Sequence, residues 1–263
     1  MGANLAILVS SFDGYADLWR PYFSAFHRNW PDCPYPVYLL SNYKTYPDPA
    51  IRTINAGSVV AWPECIRLAL EQIPEEFVFL LLDDLFIVSR VDNERIEQLV
   101  AWVAEQRPAC LRLLPDQGMV ATQFPDIYRL PEGIPYRAST IFSLWRKDVL
   151  RDLLKADESI WQFEVFGSRR TDKYPDFYAT ARPLITYLNG VIRGKWVPRS
   201  QKQLIAAGYP VETQARPIFS QSDRLAQWGR EIRARALRKM PLQYQRRVRH
   251  WFSTTEASAG GKG

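Results

Sequence analysis

Histidine is almost missing from this chain: His27 and His250 are the only two in 263 residues. That scarcity excludes an HExxH or paired-histidine metal site and leaves a serine hydrolase without a well-placed histidine base. Neither a GxSxG elbow nor a GxxxxGK[ST] phosphate loop occurs. Cysteine is nearly as rare. Cys33, Cys65 and Cys110 stand far apart with no CxxC spacing, which argues against a disulfide framework or zinc site and fits a reducing compartment. No run approaches the roughly 18 apolar residues needed to cross a bilayer. The start, MGANLAILVSSFDG, lacks a basic stretch ahead of a long apolar core and does not read as a secretion signal. Ala6 stands where the myristoylation pattern needs Ser or Thr.

What is abundant is apolar. A hydrophobic share of 47% with 9 Trp describes a folded protein, large enough for one domain plus an appendage. The net charge of +6 is unevenly placed. Residues 222–252 hold nine Arg and Lys against Asp223 and Glu231, a net +7, while Glu256 and Lys262 cancel; residues 1–221 therefore carry −1. An almost neutral body argues against a nucleic-acid groove spread over it.

The order of elements predicts an α/β fold. LAILV at 5–9 is an apolar run typical of a strand covered on both faces, and SSFDGY after it is a polar turn. Apolar residues at three- and four-residue steps predict a helix over 16–30, and a second strand over 37–40 ends at Ser41-Asn42. This strand–helix–strand opening implies a parallel sheet with a right-handed crossover. A short strand at 51–54, a helix at 63–73 with Pro63 in its first turn, and a strand at 77–82 follow. Asp92 is placed to cap a helix running to 106, and 109–114 reads as a strand. Residues 115–137 hold long loops with short strands. A strand at 140–145 runs into a helix at 147–155, and a second short helix is expected at 159–166. Residues 184–195 look like a hairpin turning at Asn189-Gly190.

The feature richest in chemistry is FVFLLLDDLFIV at 77–88, where Asp83 and Asp84 interrupt an apolar stretch. Two like charges there are costly unless water, a cation or hydrogen bonds receive them. Holding a divalent metal that also meets phosphate is the ordinary use of such a pair, and a solvated strand end is the plain alternative. Ligands of open α/β sheets bind beyond the carboxyl ends of the strands, where Ser10, Ser11, Asp13 and Asn42 join the two acids. That rim suits a nucleotide, although a turn residue is the simple reading of Asp13 or Asn42 alone. Glu164, in WQFE among Trp161, Phe163 and Phe166, has the setting of a general base, or else of an exposed helical carboxylate. Lys195 in RGKW is a candidate phosphate contact. Trp62, Trp145 and Trp161 are candidates to stack on sugar faces, with core packing as the rival explanation.

SSFDGYADLWRPYFSAFHRNWPDCPYPVYLLSN, LLLDDLFIV, the TIFSLWRKDVLRDLL region, WQFEVFGS and RGKW occur in an order that resembles bacterial nucleotide-sugar glycosyltransferases of surface-polysaccharide (lipopolysaccharide or capsule) clusters, over residues 4–200. The resemblance implies a GT-A-like (Rossmann-like) mixed, mostly parallel sheet flanked by helices. It implies Mn²⁺ or Mg²⁺ on the donor diphosphate, with Asp84 as the direct ligand and Asp83 as the ribose or second partner. It also implies Asp13 in the base-binding turn and Glu164 as base of an inverting transfer, while Ser11, Asn42 and Lys195 are expected on the donor from their own placement. Many such enzymes add a late His ligand, which only His250 offers here.

Residues 1–221 are therefore expected to form the catalytic domain. Residues 222–252 read as a basic amphipathic helical segment for an anionic membrane surface, with a docked helix or a nucleic-acid arm as alternatives, and 253–263 as a disordered tail. The expected protein sits on the inner face of a bacterial cytoplasmic membrane, takes a nucleotide-sugar donor and a glycan or lipid-linked acceptor, and does not use nucleic acid. A sugar nucleotidyltransferase and a catalytically inactive membrane-associated nucleotide or glycan binder are the rivals.

Overall fold

The first strand, β1 (Leu5–Ser10), is buried at every position because both faces of the sheet are covered. The computed structural model describes residues 4–220 and 222–223. After β1 come α1 (Ala16–Asn29), β2 (Val37–Ser41), β3 (Ile51–Asn55), α2 (Trp62–Gln72) and β4 (Phe77–Leu82). Next are β5 (Leu85–Ile87), α3 (Asn93–Gln106), β6 (Cys110–Arg112), β7 (Val120–Ala121), β8 (Ile127–Arg129), β9 (Ser143–Arg146) and α4 (Lys147–Leu153). A helical stretch runs from α5 (Ile160–Gln162) through a π-helical turn (Phe163–Gly167) to α6 (Ser168–Arg170). The described elements end with β10 (Phe177–Thr180), β11 (Tyr187–Asn189), β12 (Val191–Ile192), β13 (Lys195–Trp196) and α7 (Pro198–Ala206). Pro63 does sit in the first turn of α2, and Asp92 does cap α3, accepting from Arg95 N at 3.0 Å.

Nine strands form one sheet in the order β3-β2-β1-β4-β9-β6-β10-β8-β7. β9 and β8 run against the other seven, so the sheet is mixed and mostly parallel, as expected. Alternation along the strands sorts the core into two layers. Leu5, Ile7, Val9, Phe77, Phe79 and Leu81 face the layer that holds α1 and α3. Ala6, Leu8, Val78 and Leu80 face the layer that holds α2 and α4. The parallel strands β1, β2 and β4 thus deliver their carboxyl ends to one edge. β9 is reversed, so it begins at that edge, with Ser143 opposite Leu80.

The expected hairpin is corrected. β11 pairs with β5, directly after the acid pair, and the two-residue turn is Arg193-Gly194 between β12 and β13. Asn189-Gly190 instead crosses between sheets, where Gly190 N donates to Asp84 O at 2.7 Å. Beyond α6 the chain makes a 3-10 turn (Thr171–Lys173) before β10. Residues 4–217 form one compact unit, and the described residues from Ile218 onward fall outside it. The basic segment expected at 222–252, beyond its first two residues, and the tail at 253–263 lie outside the described residues. Among the described residues no helix is long and apolar enough to cross a membrane.

Gly190 is needed for close approach: a Cβ there would fall 2.4 Å from the Phe86 ring. Gly190→Ala should cost about 1–3 kcal/mol in urea denaturation, as overpacking does. A loss below about 0.5 kcal/mol would show that the ring yields freely.

Candidate active site

Ser10 and Ser11 after β1, Ser41 and Asn42 after β2, and Asp83 and Asp84 after β4 converge on a cavity of about 850 Å³. Phe12 and Tyr15 line it from the turn ahead of α1, Trp62 and Cys65 from α2, and Asp157, Glu158, Ser159 and Gln162 from the segment entering α5. This is the strand-end crevice that open α/β sheets provide for ligands.

The acid pair dominates its electrostatics. Asp83 is only 5% exposed and Asp84 is half-buried. The Ser11 hydroxyl donates to Asp83 Oδ2, and Trp19 Nε1 donates to Ser11 Oγ at 2.7 Å. Burial, reinforced by the charge of Asp84, pushes the Asp83 carboxyl well above its usual range. Burial pushes Asp84 up to about 6, against the pull of its own backbone amide and of Arg216. Among the described residues no ion pair reaches either acid. Arg216 is committed elsewhere: it binds Asp17 through Nε at 2.7 Å and Nη2 at 2.5 Å, donates to Gly14 O at 2.8 Å, and stacks over Tyr15 at 4.0 Å.

The chemistry of this donor set fits a hard divalent cation, which takes oxygen ligands. Among the described residues the two carboxylates lack an ion-pair partner, and the buried Tyr22 hydroxyl, raised by burial and by both acids, has no hydrogen-bond partner. No group of three His, Cys, Asp or Glu side chains able to hold a metal occurs among the described residues. Asp83 and Asp84 would therefore hold such an ion with the remaining ligands supplied by water or a bound anion.

The other candidates divide. Asn42 lines the cavity and its side-chain amide donates to Val59 O at 2.9 Å. Asp13 lies outside the lining and clamps the loop after β2, its carboxylate accepting from the amides of Asn42, Tyr43 and Lys44, each at 3.1 Å. Those three bonds, with the nearby Lys44 charge, outweigh the larger opposing effect of burial and hold its pKa below the usual carboxylate range. Trp62 lines the cavity, donating from Nε1 to Ser10 Oγ at 3.1 Å and packing on Phe163 with ring centroids 5.2 Å apart. Trp145 is not a stacking residue: it is fully buried against Phe177 and Phe163, where β9 points it into the core. Trp161 is 71% exposed and outside the lining, because the first turn of α5 turns it to solvent. Lys195 is half-buried in β13, also outside the lining.

Glu164 lies in the π-helical turn, two residues beyond the lining residue Gln162. Its Oε1 accepts from Thr140 N at 2.9 Å and from Thr140 Oγ1 at 2.8 Å. Thr140 precedes β9, so this carboxylate is fixed at the same edge of the sheet as the acid pair. The apolar setting expected from WQFE is only partial, since Trp161 and Phe166 are exposed. Two features were not foreseen. Arg216 ties the segment after α7 to the turn ahead of α1. Glu158 in the cavity wall is paired with Arg170 through bonds of 2.8 and 2.6 Å. Nothing local in sequence announces either pairing, since the partners meet only through the fold.

No family model matches the chain, and no curated protein matches its sequence. Similar solved structures include S. aureus TarS 1-349, at TM-score 0.48 and 13% identity over 80% of this chain and 67% of that one. TarS 1-349 has also been solved with UDP-GlcNAc. The 2-C-methyl-D-erythritol 4-phosphate cytidylyltransferase of Thermus thermophilus scores 0.44 at 16% identity, covering 79% of this chain and 98% of its own. A CMP:2-keto-3-deoxy-manno-octonic acid synthetase complexed with CTP also scores 0.44, at 12% identity and 78% and 98% coverage. All three scores lie below 0.5, so the chemistry is read from the cavity itself.

Because the folded state raises Asp84 to about 6 from 3.8, the protein binds that proton more tightly than the unfolded chain does. The resulting stability is present at low pH and lost as pH climbs from about 4 through about 6. In metal-free protein Asp84→Asn should thus be more stable than the parent at about pH 7.5, by roughly 1–3 kcal/mol, with little gain at about pH 4.5. Urea denaturation at the two pH values checks this, and a pH-independent difference would contradict it.

Proposed function

We propose that the chain is a metal-dependent glycosyltransferase that moves a sugar from a nucleotide-sugar donor to an acceptor hydroxyl. The observation that carries this reading is the placement of Asp83 and Asp84 on the floor of an open cavity of about 850 Å³. Volume, strand-end position and uncompensated acid suit a nucleotide whose phosphates arrive with a cation. Bound Mn²⁺ or Mg²⁺ would supply Lewis-acid neutralisation of the diphosphate leaving group.

In this reading the chain's own groups divide the work. Asp84 and Asp83 hold the cation, and the Ser11–Trp19 bonds fix the Asp83 carboxylate. The ends of β1 and β2, with Asn42, frame the nucleoside, and the Asp13 clamp keeps that loop in shape. Trp62 offers a ring face at the wall. Glu164, pinned through Oε1, presents Oε2 to the acceptor. The acceptor oxygen bonds to the anomeric carbon as the carbon–phosphate oxygen bond breaks, and its proton passes to Glu164 Oε2. The π turn supports that role, since such insertions gather at functional sites. A lipid-linked acceptor at an anionic membrane surface follows from the basic segment at 222–252 alone.

A sugar nucleotidyltransferase would use the same acids but must take a nucleoside triphosphate. Among the described residues the cavity lining has no Lys or Arg for the additional phosphates, which favours sugar transfer.

The test is a panel of UDP-, GDP-, CMP- and dTDP-linked sugars followed by thermal shift with and without Mn²⁺. One donor should stabilise the protein only with the metal, as mass action requires. Asp84→Ala should lose that shift while remaining folded. Glu164→Gln should keep the shift and lower transfer by about 10²–10⁴-fold. A donor shift indifferent to Mn²⁺ and to Asp84→Ala would remove the metal-dependent reading.

A further inference from the structure

Residues 1–221 carry a net charge of only −1, yet one concave surface within them gathers two cations and, among the described residues, no acid. A cleft of about 480 Å³ opens between α1 and the loop after β2, with Arg20 and Lys44 in its lining beside Trp19 and Tyr46. It shares no lining residue with the cavity that holds Asp83 and Asp84.

Both walls are held in place. On the loop side the Lys44 amide donates to Asp13 Oδ1 at 3.1 Å, and the Lys44 carbonyl accepts from Ser41 Oγ at 2.6 Å and Asn55 Nδ2 at 3.0 Å. Tyr46 N donates to Thr53 Oγ1 at 3.2 Å, and the Tyr46 ring packs on Phe23 of α1 with centroids 4.8 Å apart. On the helix side Trp19 is 3% exposed and its Nε1 is taken by Ser11, so it offers the cleft ring surface and no donor. Arg20 and Lys44 are exposed, and neither cationic head makes a hydrogen bond or ion pair among the described residues. The acids close by are engaged elsewhere: Asp13 with three loop amides and Asp48 with His27 at 3.2 Å.

We propose that this cleft is a second ligand site, separate from the donor cavity, and that it binds the phosphate of a phosphorylated compound between Arg20 and Lys44. A fixed frame that presents two solvated cations beside aromatic carbon suits a compact, doubly charged anion carried on an organic body. The Arg fork meets two phosphate oxygens at once, and Lys adds a point charge from the opposite wall. A carboxylate, with one charge and two oxygens, would satisfy only one of them. The volume exceeds that of a lone phosphate and leaves room for a sugar-sized body against Trp19 and Tyr46. The inference stands apart from the donor reading, since no residue of the acid-pair cavity enters it.

The test titrates the full chain with glucose 1-phosphate, and with glucose as the phosphate-free control. Arg20→Gln and Lys44→Gln remove exposed charges, so each variant and the pair together should melt within about 2 °C of the parent. Each single substitution should weaken glucose 1-phosphate binding roughly 3- to 10-fold and the pair by at least about 10-fold, with glucose binding to none of them. Arg169→Gln, which removes an exposed cation of α6, should bind as the parent does. A lipid headgroup offers the same chemistry, so vesicles of phosphatidylcholine with phosphatidic acid form a second arm. The basic segment at 222–252 is common to all these chains, and the difference between parent and double variant isolates the cleft. A loss confined to vesicles assigns the phosphate to lipid, and a loss with glucose 1-phosphate assigns it to a soluble compound. Undiminished binding of both probes in the double variant, binding of neither by the parent, or an equal loss in Arg169→Gln would overturn the proposal. Equal affinity for glucuronate would do so as well, since the site would then not select phosphate. The Mn²⁺-dependent shift with a nucleotide sugar should survive in the double variant. Its loss there would overturn the separate site by making the cleft part of the donor cavity, whereas its absence from the parent would count against the donor reading alone.

Discussion

Two carboxylates side by side at the end of a buried strand set the terms for everything around them. Neither Asp83 nor Asp84 is met by a cationic side chain among the described residues, and burial drives both toward the protonated form. The structure tolerates them through small concessions. Ser11 gives Asp83 one hydrogen bond, Trp19 orients Ser11, and Arg216 softens the field from a distance while occupied with Asp17. A fold selected for stability alone would bury apolar residues there. Retaining the pair fits a site whose missing charge comes from outside the chain.

The geometry that serves this pair was partly legible in the sequence. LAILV and FVFLLL are continuous apolar runs because helices cover both faces of the sheet, so the parallel half could be read from composition. The cavity rim of Ser11, Asn42 and the acids followed from the rule about strand ends. Individual side chains were harder. Trp145 and Trp62 look alike in sequence, yet the pleat of β9 sends one into the core, while the first turn of α2 leaves the other at the wall. Asn189-Gly190 is a strong local turn signal, but tertiary pairing of β11 with β5 overrode it and left the positive angles to Arg193-Gly194. Arg216 and Asp17 are 199 positions apart, and no periodicity links residues at that distance.

Asp13 shows how one residue can suit two explanations until the backbone is seen. A carboxylate after β1 is reasonable on a nucleotide. With three amides from the loop after β2 on its oxygens, it instead joins two strand-end loops into one rigid rim. Glu164 differs: both of its bonds come from Thr140 and fall on the same oxygen, so the carboxylate is oriented but not consumed.

The reversal of β9 between β4 and β6 has an evolutionary consequence. Everything from β1 to β4 forms a parallel wing, whereas the peptide between β6 and β9 builds the far edge of the sheet through β7 and β8 and returns beside β4 through a strand of opposite sense. Insertions or exchanges in that excursion would change what approaches the rim from one side without shifting the register of the wing. Lineages sharing this topology can therefore diversify one half of their chemistry while inheriting the other unchanged.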